Sequence, residues 1–180
     1  MNTPENVSPA KPKVTGGIFV APVGTTLPTD ASSELNIAFK SLGYISEDGL
    51  KNDMPREFEA TKDWSGATIR ENQTSADDKF KYKMLEALNE TVLKEVFGDD
   101  NVTTQDGKIS IKKNSKELSE HAYVIDMILL ENKIKRIVIP RGKITSIAEV
   151  EYVANKSIGY DVTLSAYVDS EGQTHYEYIA

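Results

Sequence analysis

Few residues in this chain have the type and spacing for chemistry. Its two histidines, His121 and His175, stand far apart, and neither has a second ligand at metal-binding spacing. Zinc sites gather three or four ligands, so His121 reads as a sheet or turn residue and His175 as an exposed tail residue. Asp99, Asp100, Asn101 and Asp106 imitate the start of a calcium loop. The twelfth position from Asp99 is Ser110, where such a loop requires a bidentate Glu, so the stretch reads as a plain connection. Glu149 and Glu151, on strand spacing, would share one face. Carboxylates that move protons need an apolar pocket to perturb them. None is indicated, and the pair reads as a solvated or pore-facing side. The sequence has no Gly-rich phosphate loop, nucleophile elbow or H-E-x-x-H pattern. It also has no cysteine, which removes disulfides and thiolate chemistry. The expectation is a protein that is not an enzyme, with no catalytic residue, cofactor or metal.

Charge points the same way. Twenty-eight acidic against 21 basic residues give a net charge of −7. Ordinary nucleic-acid binding rests on a basic footprint that neutralises phosphates, and this chain lacks that balance. An acidic surface can still act on DNA as a wall along which it moves without sticking. At 180 residues the chain is long enough for one domain with a sizeable core. No apolar run approaches the ~20 residues that span a bilayer. Residues 1–13 contain no apolar stretch resembling a signal peptide, so synthesis in the cytoplasm is expected.

The elements that would hold such a surface are strands. Residues 123–130 are apolar almost throughout, which suits a strand covered on both faces. Residues 134–139 follow, and Pro140-Arg141-Gly142 punctuates the chain. Residues 144–153 and 160–168 alternate apolar and polar, the signature of antiparallel strands with one buried face. Earlier, 14–23 reads as a strand. Asp30 is placed to cap a short helix over 31–40, 42–46 reads as another strand, and Asp48-Gly49 as a turn. Residues 50–78 form a long polar excursion with two candidate strands, 57–64 and 67–74, joined at Ser65-Gly66. Residues 79–84 alternate, then Leu85, Leu88, Val92, Val96 and Phe97 fall at helical spacing up to Gly98, a natural C-cap. Residues 108–112 and 174–179 complete the strand candidates. The Pro-rich segment 1–13 is expected to be a flexible arm, and 14–180 a single domain.

The run Gly16-Gly17-Ile18-Phe19-Val20-Ala21-Pro22, the loop Gly24-Thr25-Thr26-Leu27-Pro28-Thr29-Asp30, then Ala38-Phe39-Lys40 and Leu42-Gly43-Tyr44-Ile45-Ser46-Glu47-Asp48-Gly49-Leu50 are specific. Together they resemble the major tail tube proteins of long-tailed, non-contractile phages, especially phages and prophages of Gram-positive bacteria. The resemblance continues through Trp64, residues 79–98 and the strands beyond. It implies an antiparallel β-sandwich or barrel with one packed helix. It also implies hexameric rings that stack into a hollow tube conducting phage DNA into the host cell. The partners it implies are copies of the chain itself, a tape-measure protein, a tail terminator and tail-tip proteins. The place it implies is the virion tail, after assembly in the host cytoplasm.

In that family the counterpart of 50–78 reaches a neighbouring subunit, so Trp64, Arg56, Phe58 and Arg70 are expected intersubunit contacts. Glu57, Glu59, Glu71, Glu149 and Glu151 are expected to face the channel. Two other readings are a monomeric β-sandwich binding module of baseplate or adhesion type, and the tube of a contractile injection system.

Overall fold

A computed structural model describes residues 7–13 and 17–180. In chain order its strands begin with β1 (Lys11–Pro12), β2 (Ile18–Pro22), β3 (Lys40–Ser41), β4 (Lys51–Asp53), β5 (Arg56–Lys62), β6 (Thr68–Ala76) and β7 (Lys79–Met84). The helix α1 (Glu90–Phe97) follows. The remaining strands are β8 (Val102–Gln105), β9 (Lys108–Ile111), β10 (His121–Ile128), β11 (Ile134–Ile147), β12 (Tyr160–Ala166) and β13 (Tyr176–Ile179). The protein is mainly antiparallel β with one helix, the class its alternation implies. Residues 1–6, half of the expected arm, and 14–16, the start of the first expected strand, lie outside the described residues. Lys11 and Pro12 pair with Ile128 and Met127 of β10.

One large sheet runs in the order β3-β2-β10-β11-β12-β7-β4, with β1 also on β10 and β13 also on β11; β5–β6 and β8–β9 are separate hairpins. The apolar run in β10 is explained by its position. Tyr123 and Ile125 belong to one core, Ala122 and Val124 to a second on the opposite face. The larger core gathers residues from β2, β7, β10, β11 and β12. The helix contributes Val92, Leu93 and Val96, each side chain stabilising the fold by about 1.5–3 kcal/mol on burial.

The sheet remains open as a path, but its two ends are tied together. Leu42 N–H donates to Ile18 O on β2 (2.9 Å) and Ser46 N–H to Lys83 O on β7 (2.9 Å). The expected strand over 42–46 is therefore a crossing segment, making only a single bridge from Ile45 to Met84. Gly43, at φ 70, turns the chain there. A Cβ at this position would lie 2.0 Å from the Glu86 carboxyl carbon, and that carboxylate accepts Tyr44 N–H (3.0 Å).

Three more expectations are corrected. Residues 31–40, expected as a helix, form bends and turns that lead into β3 at Lys40. Asp30 does cap, accepting Ser32 and Ser33 N–H at 2.7 and 2.6 Å. The carbonyls of Asp30 and Ser33, however, turn to Arg136 rather than along a helix axis. Pro140 does not end a strand, since β11 runs through it for 14 residues. It falls where the register with β10 shifts, and between the stretches of β11 that pair with β13 and β12. Its missing N–H therefore breaks no ladder bond. Gly142 beside it leaves no room for a side chain, because a Cβ would lie 3.0 Å from Leu164 and 3.2 Å from Tyr123. Finally, β11 stops at Ile147, opposite Val162. Ala148 N–H still donates to Asp161 O (2.8 Å), and the rest of the expected strand, 149–153, forms no ladder.

The helix starts at Glu90 rather than near Leu85. Asn89 caps it, accepting Thr91 N–H (3.0 Å). Gly98 closes it at φ 97, its N–H donating to Lys94 O (2.7 Å), as the sequence suggests.

Beneath the loop at residue 30 lies a buried ion pair. Asp126 and Arg136 are register partners on β10 and β11, 2% and 1% exposed. Arg136 Nε and Nη2 donate to the two Asp126 carboxylate oxygens at 2.7 and 2.9 Å. Its Nη1 donates to Ser33 O (2.8 Å) and Asp30 O (3.1 Å). Removing one member of a buried pair strands the other charge, at a cost of about 3–5 kcal/mol. Arg136→Met is expected to lower stability by that amount in urea denaturation. Lys135→Met, which removes only the more exposed pair with Glu177, should cost less than about 1 kcal/mol. Equal losses would refute the assignment.

Candidate functional site

After β4 the chain leaves the sheet. β5 and β6 pair from Arg56↔Ala76 to Lys62↔Thr68, with irregularities after Glu57 and after Thr61. Every residue of both strands except Ser75 is exposed. The hairpin is thus a ribbon with two solvent faces. At about 3.3 Å per residue, the seven residues of β5 carry its tip about 23 Å from its root. Asp63 builds the tip by accepting Ser65 Oγ–H (2.7 Å) and Ala67 N–H (2.9 Å). These donors hold its carboxyl below the usual range. Trp64 sits in that turn at 104% exposure.

The register sorts the remaining side chains, since directly opposite residues share a face. Glu59 faces Asn72 and Thr61 faces Arg70 on one side, with Glu57 two residues before Glu59. On the other side Phe58 faces Gln73 and Ala60 faces Glu71, and Arg56 Nη1 donates to Gln73 Oε1 (3.2 Å). The structure therefore brings Trp64, Arg56, Phe58, Arg70, Glu57, Glu59 and Glu71 onto one ribbon. Glu71 lies on the opposite face from Glu57 and Glu59. Met54 and Ile69 add exposed apolar surface that sequence reasoning passed over. The signal at Ile69 was available, since an apolar residue in a strand with no core behind it has no burial to explain it.

The family model of phage tail tube proteins matches residues 4–180, hairpin included. The chain belongs to that family. A search of curated proteins returns no match. The tail tube family is a structural one, whose members assemble with their own kind into a tube within the phage tail. Among the described residues no helix is long and apolar enough to cross a membrane.

In this tail tube subunit the other two expected channel acids sit elsewhere. Glu149 and Glu151 are exposed in the loop between β11 and β12, not on one strand face as their spacing suggests, because β11 has already ended. Lys156 Nζ donates to Glu151 Oε2 (2.9 Å) and holds that carboxyl below its ordinary value. The loop enters β12 at Tyr160, opposite Met84, whereas the hairpin springs from the Lys79 end of β7.

The hairpin's root is clamped. Asp78, just after β6, is 6% exposed and accepts from Asn52 Nδ2 (2.8 Å), Thr174 Oγ1 (2.7 Å) and His175 Nδ1 (2.5 Å). His175, expected as an exposed tail residue, instead packs edge-on against Phe80 at 5.5 Å. Burial pushes the Asp78 carboxyl up, but the donors led by His175 outweigh it and hold it below its usual value. The Asp78 carboxylate in turn raises the His175 imidazole. A second pair supports the helix. Glu95 of α1, also 6% exposed, accepts Tyr123 Oη–H (2.5 Å). His121 Nδ1 lies 2.8 Å from its other oxygen, out of hydrogen-bond alignment. That carboxylate draws His121 upward against its burial.

A raised histidine contributes stability that is complete below its unfolded pKa and lost as pH rises through the folded one. Asp78, being lowered, contributes above its unfolded pKa and loses that only in acid. Melting temperature is therefore expected to fall between about pH 6 and pH 9, where histidines discharge. His175→Asn should show a smaller fall over that interval, because only His121 remains to discharge. Identical slopes would show that His175 does not bind Asp78 as a cation.

Proposed function

We propose that six copies of this chain close into a ring and that rings stack into the hollow tail tube of a long-tailed, non-contractile phage. Phage DNA passes through this channel into the host cell. The observation that carries the reading is the hairpin, which exposes Trp64, Phe58 and Ile69 on a ribbon with no core of its own. Exposed apolar surface of that kind marks a partner surface, and in a tail tube protein the first partner is another copy. Arg56, Phe58, Trp64 and Arg70 are the contacts we assign to it. A tape-measure protein, a terminator and tail-tip proteins are the further partners of such a tube, which assembles in the host cytoplasm. Residues 14–180 act as the single tube domain, with 1–13 as an arm whose Lys11 and Pro12 join the sheet on β10.

The channel needs a surface that repels phosphate. The net charge of −7 supplies the sign, and Glu57, Glu59, Glu71, Glu149 and Glu151 are the acids we assign to it. Glu57 and Glu59 share one face of the ribbon and Glu71 lies on the other, so a ribbon that projects edge-on into the channel would present all three.

Negative-stain electron microscopy of the purified protein, fresh and concentrated, is expected to show rings or hollow tubes. A protein that stays monomeric at every concentration, even with a tail-tip complex added as initiator, would overturn the reading. Trp64→Ala should raise the concentration needed for assembly by about thirtyfold, the effect of losing an interface anchor worth about 2 kcal/mol. Tubes of Glu57→Gln/Glu59→Gln should co-sediment more DNA at low salt than wild-type tubes. Equal DNA retention would take those two acids off the channel wall.

A further inference from the structure

β1, the end of β10 and the turn before β4 enclose a cleft of about 370 Å³. Ile45, Leu50, Ile125 and Met127 wall it, and the exposed acids Glu47 and Asp48 stand at its mouth. We propose that this cleft receives Trp64 of a second copy of the chain, with Lys62 of that copy's hairpin against Glu47 and Asp48. The inference rests on the assembly reading above and deepens it by naming the two surfaces that meet.

Three observations carry it. The cleft lies beside the root of its own hairpin, because Leu50 immediately precedes β4 and β4 leads into β5. A paired ribbon whose tip stands about 23 Å away cannot fold back onto that root, so the indole that fills the cleft belongs to another molecule. The surfaces match in chemistry, since an apolar cleft with an acidic mouth faces a bare indole with Lys62 two residues before it. The intervening Asp63 carboxylate is already taken up by Ser65 and Ala67 of its own turn. Trp is also enriched among the anchors that fill such pockets. Lastly, tip and cleft are different patches of one chain. Their contact is head-to-tail rather than two-fold, and such a contact either closes a ring or continues along a stack. Both are motions that a tube requires. The Asp78 clamp at the hairpin's root fixes the direction in which the tip is offered.

Trp64 is the sole tryptophan and the chain has no cysteine, so both halves of the contact can be read without background. Trp64 emission is expected at a water-exposed wavelength in monomers and shifted to the blue in tubes. Ser65→Cys, which keeps Trp64, is then mixed with Glu47→Cys during assembly and oxidised mildly. A cross-linked dimer is expected, at least tenfold more abundant than with Lys113→Cys in place of Glu47→Cys. Tubes without a blue shift, or with equal cross-linking to both sites, would overturn the cleft assignment and leave the assembly reading standing. Failure of the wild-type chain to form rings or tubes would overturn both. Leu50→Glu, which charges the cleft wall while leaving the hairpin intact, should abolish the blue shift.

Discussion

The pair of Asp126 and Arg136 is the constraint on which the rest of the fold depends. It sits at the centre of the sheet, where two charges removed from water repay their desolvation only if every donor and acceptor finds a partner. Arg136 meets that condition by collecting two carboxylate oxygens and two loop carbonyls. The loop over 24–39 is consequently pinned as irregular backbone rather than coiled into a helix. It carries Leu27, Leu35 and Phe39 over the second face of β10. A sheet covered on that side by a loop rather than a second sheet is what this one interaction makes possible.

The distribution of stability follows from that arrangement. The two hydrophobic cores lie within the large sheet and its helix, and the projecting hairpin contributes nothing to either. Its orientation is instead set by polar contacts at its root, chiefly Asp78 with three donors from two distant stretches of the chain. The subunit is therefore divided between a body held by apolar burial and an arm held by hydrogen bonds. Each carries one histidine–carboxylate pair, His121 with Glu95 in the body and His175 with Asp78 at the root of the hairpin.

What the sequence revealed and what it concealed divide along a physical line. Periodicity placed β7, β10, β12 and the hairpin, because their side chains answer to local alternation or to its absence. The C-cap at Gly98 and the polar ribbon around Trp64 were legible for the same reason. The continuity of β11 through Pro140 was not, since it depends on which neighbours stand on either side of that residue. The expected strand over 148–153 failed similarly, because the alternation runs on past the point where the ladder to β12 ends, at the bond from Ala148 N–H to Asp161 O. His175 looked like a tail residue until Asp78, almost a hundred positions away, supplied the carboxylate. No local window contains that pairing.

One consequence belongs to the long strand itself. β11 extends for 14 residues, about 46 Å at strand rise, and is bonded along its length to β10, β12 and β13. Antiparallel hydrogen bonds lie across the strand direction. Tension applied along β11 therefore loads many of them at once in shear, and they cannot open one after another like a zipper. A filament whose subunits carry such a rod resists stretching in one direction far more than peeling in the other. Its mechanical anisotropy is thus written into a single uninterrupted strand.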